Sequence, residues 1–169
     1  MGFQTTVIGD IRSGVIGEIA FDGPTRAVSA MLDSGAGAAN NVVGRAFCYE
    51  NVTNNTVSAG GDAGNFAGIL VMPKTHALRG TAVGGTLADS LLIPDGTAVE
   101  LLQMGEVFVS LASSGATVGS LVKYADTTGI LDHGTASTGE TQVPNAVVVR
   151  VQPSPTAAGA YLAVIRLTN

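Results

Sequence analysis

Residues 146–152 (AVVVRVQ) and 161–167 (YLAVIRL) are the two segments that decide the fold class. Apolar side chains alternate along both segments, with Arg150 and Arg166 on the opposite side, which is typical of a strand with one buried face. The polar stretch 153–159 between them predicts a hairpin connection. The side chains predicted to face the core are Val147, Val149, Val151, Tyr161, Ala163, Ile165 and Leu167.

Seven further strand patterns precede this hairpin, and Gly-containing turns separate several of them. They cover residues 15–21, 25–32, 42–50, 65–71, 98–103, 106–111 and 121–125. In the first pattern Val15, Ile19 and Phe21 share the apolar face. Helix patterns are nearly absent, and the best one, at residues 86–92, is closed by Pro94. The sequence therefore predicts an all-β fold, an antiparallel β-sandwich or small barrel, with a jelly roll as one option.

The length of 169 residues corresponds to one domain. We divide the chain into an extended N-terminal arm, residues 1–12, and a single β domain, residues 13–169. The arm mixes apolar with polar side chains, so it fits either an extended arm or an edge strand. Two polar stretches, residues 33–41 and 133–143, are predicted to be surface loops.

Charge and hydropathy argue against two classes of partner, nucleic acids and membranes. The chain has 8 Lys and Arg against 13 Asp and Glu, whereas nucleic-acid binders normally carry a basic patch. No run of 18 apolar residues exists that would span a bilayer. We therefore expect no direct nucleic-acid partner and no membrane partner.

The N-terminus has no signal-peptide pattern, so synthesis in the cytoplasm is expected. The single Cys48 is predicted to be a small buried side chain.

No motif predicts catalysis, a cofactor or a metal site. The sequence GAGAAN at residues 35–40 lacks the third glycine and the following helix of a dinucleotide fingerprint. Asp126, Asp132 and Glu140 do not have the spacing of an EF-hand. His133 stands beside Asp132 in a chain with many serines, but a Ser-His-Asp set is recognised by geometry and not by inventory. We expect a protein that is not an enzyme, with no catalytic residue, no cofactor and no metal.

The order of strand and turn motifs resembles that of the capsid cement, or head decoration, proteins of tailed bacteriophages. The resemblance covers roughly residues 10–169. It is carried by residues 14–24 (GVIGEIAFDGP), 41–47 (NVVGRAF), 105–109 (GEVFV), 116–124 (ATVGSLVKY), 128–131 (TGIL) and the hairpin 147–167.

The resemblance implies a non-enzymatic structural protein of the virion, made in the host cytoplasm. Such proteins bind the outside of an assembled icosahedral capsid and cement neighbouring subunits of the major capsid protein against the pressure of packaged DNA. They act as dimers or trimers, so a homo-oligomer is expected here. The candidate capsid contacts lie in the arm and in the first polar loop, and they are Phe3, Gln4, Thr5, Thr6, Val7, Ile8, Arg12, Asn40 and Asn41.

Other functions remain open on the sequence alone. Another virion component, such as a tail or head-fibre protein, is one alternative, and location on the particle separates it from a cement protein. A β-barrel that binds a small ligand or carbohydrate is a further alternative, although the absence of Trp weighs against it. A trimeric all-β nucleotide hydrolase would need a phosphate-binding glycine loop, and the sequence does not have that family's motifs.

Overall fold

The computed structural model describes residues 14–21, 23–72, 92–155 and 161–168. This part of the chain is almost entirely β, as the sequence predicts. Its strands are β1 Arg26–Leu32, β2 Ala46–Asn51, β3 Thr56–Ala59, β4 Phe66–Leu70, β5 Ala98–Leu111, β6 Leu121–Ala125, β7 Leu131–His133, β8 Glu140–Pro155 and β9 Tyr161–Leu167. Short 3₁₀ helices at Gly35–Asn40 and Ala63–Asn65 follow β1 and precede β4.

The first five strands close into a small barrel. Of the two architectures that the sequence predicts, a β-sandwich or a small barrel, the structure therefore contains the barrel. Their order is β1–β3–β2–β4–β5, and β5 pairs back with β1 from Arg26 opposite Met104 to Met31 opposite Ala98. β1 and β3 run parallel, and the other neighbours run antiparallel. The buried interior consists of Ala30, Leu32, Val43, Phe47, Val57, Ala67, Leu70, Ile93, Val99 and Leu101.

The second half of β5 begins an antiparallel sheet, which we call the C-terminal sheet. Its order is β5–β9–β8–β6–β7. The inner face of this sheet packs against the outside of barrel strands β2 and β4, so that Ala46, Cys48 and Ile69 share one buried cluster with it. The sheet curls until β7 reaches the end of β5, where Ala112 N–H donates to the Leu131 carbonyl at 3.0 Å.

β5 is therefore shared by the barrel and the C-terminal sheet. The sequence patterns predict two strands, 98–103 and 106–111, but the structure joins them through Met104 and Gly105 into one. Gly105 has φ 128°, and a Cβ there would lie 3.0 Å from Thr25 Cγ2. Glycine is required at this point because other residues rarely adopt this φ.

In the final hairpin, the predicted inward face of β8 is partly wrong. In β8, Ala146 and Val148 lie in the core, whereas Val147 is partly exposed and Val149 packs on the outer face. A register shift then returns Val151 to the core side. An unbroken apolar run hides the phase of the alternation, and a bulge changes it. In β9, Ala163, Ile165 and Leu167 of the predicted inward face pack into the core, whereas Tyr161 is only partly buried. Leu162 and Val164 are buried on the other face.

Some predicted elements differ from the structure or lie beyond the described residues. The short strands β3 and β7 have no clear sequence pattern, and β7 and β8 take up both ends of the predicted loop 133–143. The predicted arm, residues 1–12, lies outside the described residues. So does the predicted helix at 86–92, apart from Leu92, which forms a single bridge with Val42.

Candidate functional site

The loop of residues 33–41, here called the Asn40 loop, is held in place by its last residue. Asn41 is fully buried. Its Nδ2 donates to Asp95 Oδ1 at 2.7 Å, and its Oδ1 accepts from Ser34 Oγ at 2.5 Å. Asp95 Oδ1 also accepts from Ser34 N–H at 3.0 Å. Asn41 therefore ties both ends of the loop to the turn before β5, and its amide is not exposed to a partner.

Asn40, by contrast, lies partly exposed at the surface. Arg45 Nη1 donates to Asn40 Oδ1 at 2.8 Å and to the Thr128 carbonyl at 3.1 Å. Asn40 Nδ2 reaches the Thr127 carbonyl at 3.5 Å. Burial lowers the pKa of the Arg45 guanidinium. The loop is thus bonded to the turn between β6 and β7, in the C-terminal sheet, although it belongs to the barrel.

Two glycines allow the barrel and the C-terminal sheet to touch at this place, which we call the junction. Gly60 has φ 85°, and a Cβ there would lie 2.2 Å from the Asp126 carbonyl oxygen. Gly129 has φ 66°, and its Cβ would lie 2.3 Å from the Ala46 carbonyl oxygen. Backbone bonds cross the same gap, including Ala46 N–H to the Gly129 carbonyl at 2.9 Å. The Asn40 loop therefore lies beside a place where the backbones of the barrel and the C-terminal sheet are in direct contact.

A half-open groove of about 300 Å³ lies beside the Asn40 loop. Its lining consists of Ser34, Gly37, Asn40, Glu50, Ser58, Ala59, Gly61, Asp126 and Thr127. Ser58 Oγ donates to the Glu50 carboxylate, and Asp126 Oδ1 is buried without a hydrogen-bond donor. Within the described ranges no group of three or more His, Cys, Asp or Glu side chains is placed to hold a metal ion. Most of the residues that line the groove are polar and offer hydrogen bonds to a partner.

Asp132, His133 and a serine do meet, but not as a catalytic set. Ser113 Oγ donates to both oxygens of Asp132, at 2.6 and 2.5 Å. His133 Nδ1 lies 3.2 Å from Asp132 Oδ1, without hydrogen-bond alignment. The carboxylate stands between the hydroxyl and the imidazole, whereas a nucleophilic serine must donate to the imidazole. Burial alone would raise the pKa of Asp132, but hydrogen bonds from Ser113 and His133 outweigh it and hold this pKa below its ordinary value.

An apolar edge before β1 is a feature that the sequence patterns missed. Residues 15–21 form one bridge, Ile19 to Val107, and not a full strand. Val15, Ile19 and Phe21, the predicted apolar face, are 58%, 43% and 63% exposed. The neighbouring Ile16 and Ala20 instead pack on the outer face of the C-terminal sheet, against Phe108, Leu162 and Val164. The spacing showed which side chains share a face, but not which face is covered.

Of the candidate contacts taken from the sequence, the structure describes only Asn40 and Asn41. The others lie in the arm, outside the described residues, and they are Phe3, Gln4, Thr5, Thr6, Val7, Ile8 and Arg12. The helices among the described residues are too short to cross a bilayer.

Comparisons with known proteins give one family and one fold. The family described as structural cement protein (E217 gp24/Pam3 gp6) matches residues 3–168. A chain in the solved structure "The capsid of Myoviridae Phage XM1" is similar, with a TM-score of 0.61 and 16% identity. The similarity covers 100% of this chain and 99% of that chain. No curated protein matches the sequence.

Proposed function

This chain belongs to the phage structural cement protein family, and from that premise we propose that it binds the outside of an assembled icosahedral capsid. There it cements neighbouring subunits of the major capsid protein against the pressure of packaged DNA. The family is structural, so the protein is not an enzyme. The observation that carries the proposal is the match over residues 3–168, which is nearly the whole chain.

The geometry of the junction supports a load-resisting role. The barrel and the C-terminal sheet share β5, and Gly60 and Gly129 let their backbones fit together. A protein that bridges capsid subunits transmits force between its contact surfaces, and closely packed interiors resist deformation. The low charged fraction of 12% also suits close approach to another surface.

We place the capsid contacts on two surfaces. The first is the arm, residues 1–12, which precedes the exposed apolar edge Val15, Ile19 and Phe21. The second is the Asn40 loop, where Asn40 is partly exposed and Asn41 holds the loop's position. Many such contacts repeated over a shell give strong attachment from weak individual bonds. We further propose a homo-oligomer, a dimer or trimer, on the capsid exterior of the virion.

Co-sedimentation with undecorated mature capsids, followed by electron cryomicroscopy, tests the proposal. Ordered extra density at symmetry-related sites on the outer surface is expected, and it would show the oligomer directly. Absence of binding at high protein concentration would overturn the proposal and favour a tail or head-fibre protein, or a ligand-binding barrel.

Two variants then test the contact surfaces separately. Removing residues 1–12 is expected to reduce occupancy on the shell strongly. Asn40→Ala is expected to weaken binding less, with Asn54→Ala as the matched control, because Asn54 is exposed on the turn between β2 and β3. Unchanged occupancy without residues 1–12 would remove the arm from the interface.

A further inference from the structure

The barrel and the C-terminal sheet are closed in different ways. The barrel closes through six residue pairs between β1 and β5. The C-terminal sheet closes where β7 meets the end of β5, a contact we call the seam. Among the described residues, the backbone hydrogen bond that crosses the seam is the one from Ala112 N–H to the Leu131 carbonyl, at 3.0 Å. β7 is also the shortest strand described, with three residues.

Leu111 and Leu131 are buried in one cluster at the seam, and among the described residues one carboxylate accepts the remaining hydrogen bonds that cross it. Asp132, in the middle of β7, accepts from Ser113 N–H at 3.2 Å and shares the single proton of the Ser113 hydroxyl, whose Oγ lies 2.6 and 2.5 Å from its two oxygens. It also accepts from His133 N–H at 2.9 Å. Hydrogen bonds to a charged acceptor are stronger than those between neutral groups. One side chain therefore accepts, at the seam, hydrogen bonds of the kind that a backbone ladder makes in the barrel.

We propose that the seam is the side on which the C-terminal sheet opens locally, and that Asp132 is the latch that keeps it shut. Opening separates β7 from Ala112 and Ser113 while β6, β8 and β9 stay paired. It exposes Leu111 and Leu131, which are buried in the closed form, so the closed form is the ground state. The proposal stands on the geometry of the seam and does not depend on capsid binding.

The charges around the latch favour the closed form near neutral pH. His133 Nδ1 lies 3.2 Å from Asp132 Oδ1, so its protonation would strengthen the contact. Lys123 is the cross-strand neighbour of Asp132 on β6, and its Nζ is 2.8 Å from Glu140 Oε2 on β8. Only protonation of Asp132 itself removes the charge that Ser113 binds.

Hydrogen exchange on the full chain tests the latch. In Asp132→Asn we expect the amides of Ala112 and Ser113 to exchange about tenfold faster, with the amides of the β1–β5 ladder unchanged, because local openings have their own free energies. Asp95→Asn is the matched control, since Asp95 also accepts a backbone N–H, from Ser34. It should speed exchange at Ser34 and leave Ala112 unaffected.

Two results would overturn the proposal: unchanged exchange at Ala112 in Asp132→Asn, or equal acceleration in the barrel and in the C-terminal sheet. If Asp132→Asn does not fold, Ser113→Ala carries the test, because it removes one donor and keeps the carboxylate. The same selective acceleration at Ala112 is then expected, and its absence would count against the latch.

Discussion

The barrel and the C-terminal sheet differ in how far apart along the chain their paired strands lie. The barrel is closed by β1 and β5, which begin at Arg26 and Ala98. In the C-terminal sheet, the pairs β6–β7 and β8–β9 are consecutive in the chain, β6 and β8 are separated only by the short β7, and β5–β9 is the distant pair. Distant pairing costs more chain entropy before it is rewarded. A backbone ladder closes the barrel between the distant strands β1 and β5. At the seam between β5 and β7, which are nearer in the chain, the Asp132 side chain takes the place of a ladder.

Two substitutions of similar effect are expected to cost the most stability, and the first is at the junction, where the two regions touch. Gly60→Ala should lower the free energy of unfolding by about 3 kcal/mol or more, because the residue has positive φ and its Cβ would meet backbone. Gly64→Ala is the control, since a Cβ there meets nothing within 4 Å. Denaturant unfolding measures both variants. A loss below about 1 kcal/mol for Gly60→Ala would show that the junction yields easily.

The second prediction asks whether the two regions unfold as one unit. Phe47→Ala, in the barrel interior, should cost about 3–5 kcal/mol. Because β5 is common to both regions, we expect hydrogen-exchange protection to fall in the C-terminal sheet as well as in the barrel. Phe21→Ala, at an exposed phenylalanine, is the control. Loss of protection confined to the barrel would contradict a single cooperative unit.

A smaller effect is expected from the hydrogen bond that joins the two regions through their shared core. Cys48 Sγ on β2 lies 3.3 Å from the Tyr124 hydroxyl on β6, and burial raises the pKa of both groups. Tyr124→Phe should cost about 1 kcal/mol. A double-mutant cycle with Cys48→Ala measures the coupling. A coupling energy of zero would mean that the contact does not stabilise the protein.

The smallest effect is a pH dependence limited to the C-terminal sheet. Hydrogen bonds from Lys123 and Ser137 lower the pKa of Glu140 from 4.5 to about 2. Because the folded-state pKa is depressed, this group stabilises the fold above pH 4.5, and that stabilisation is lost as the pH falls towards 2. Titration of the Glu140 carboxyl by NMR should give a midpoint near 2. Glu140→Gln should reduce the acid sensitivity of the sheet, and a midpoint near 4.5 would contradict the prediction.

The sequence predicts strands well where one face is buried and the other is solvated. β6 has the predicted boundaries and alternates in burial. β9 also has the predicted boundaries, although Leu162 and Val164, on the Arg166 side, are buried as well. Prediction of the inward face fails in β8, because its unbroken apolar run carries no phase. It also fails for β3 and β7, since strands of three or four residues are too short to show a period. Which strands close the barrel depends on pairings between distant segments, which local patterns do not encode.

The candidate site was predictable only in part, since the sequence indicated the Asn40 loop but not how its two asparagines differ. Asn41 is buried because Asp95, 54 positions away, is its partner, and no local pattern shows such a contact. The outward direction of Val15, Ile19 and Phe21 was missed for a similar reason. Ile16 and Ala20 pack on a cluster that distant strands β5 and β9 build together, so no local pattern shows it.

The continuity of β5 has a mechanical consequence. Its 14 residues extend over roughly 45 Å at the usual rise of a strand. Tension applied to the barrel therefore reaches the C-terminal sheet along unbroken covalent bonds, and side-chain packing does not have to carry it alone. Gly105 is the residue of β5 with positive φ, so we expect a substitution there to change the stiffness of the link between the two regions.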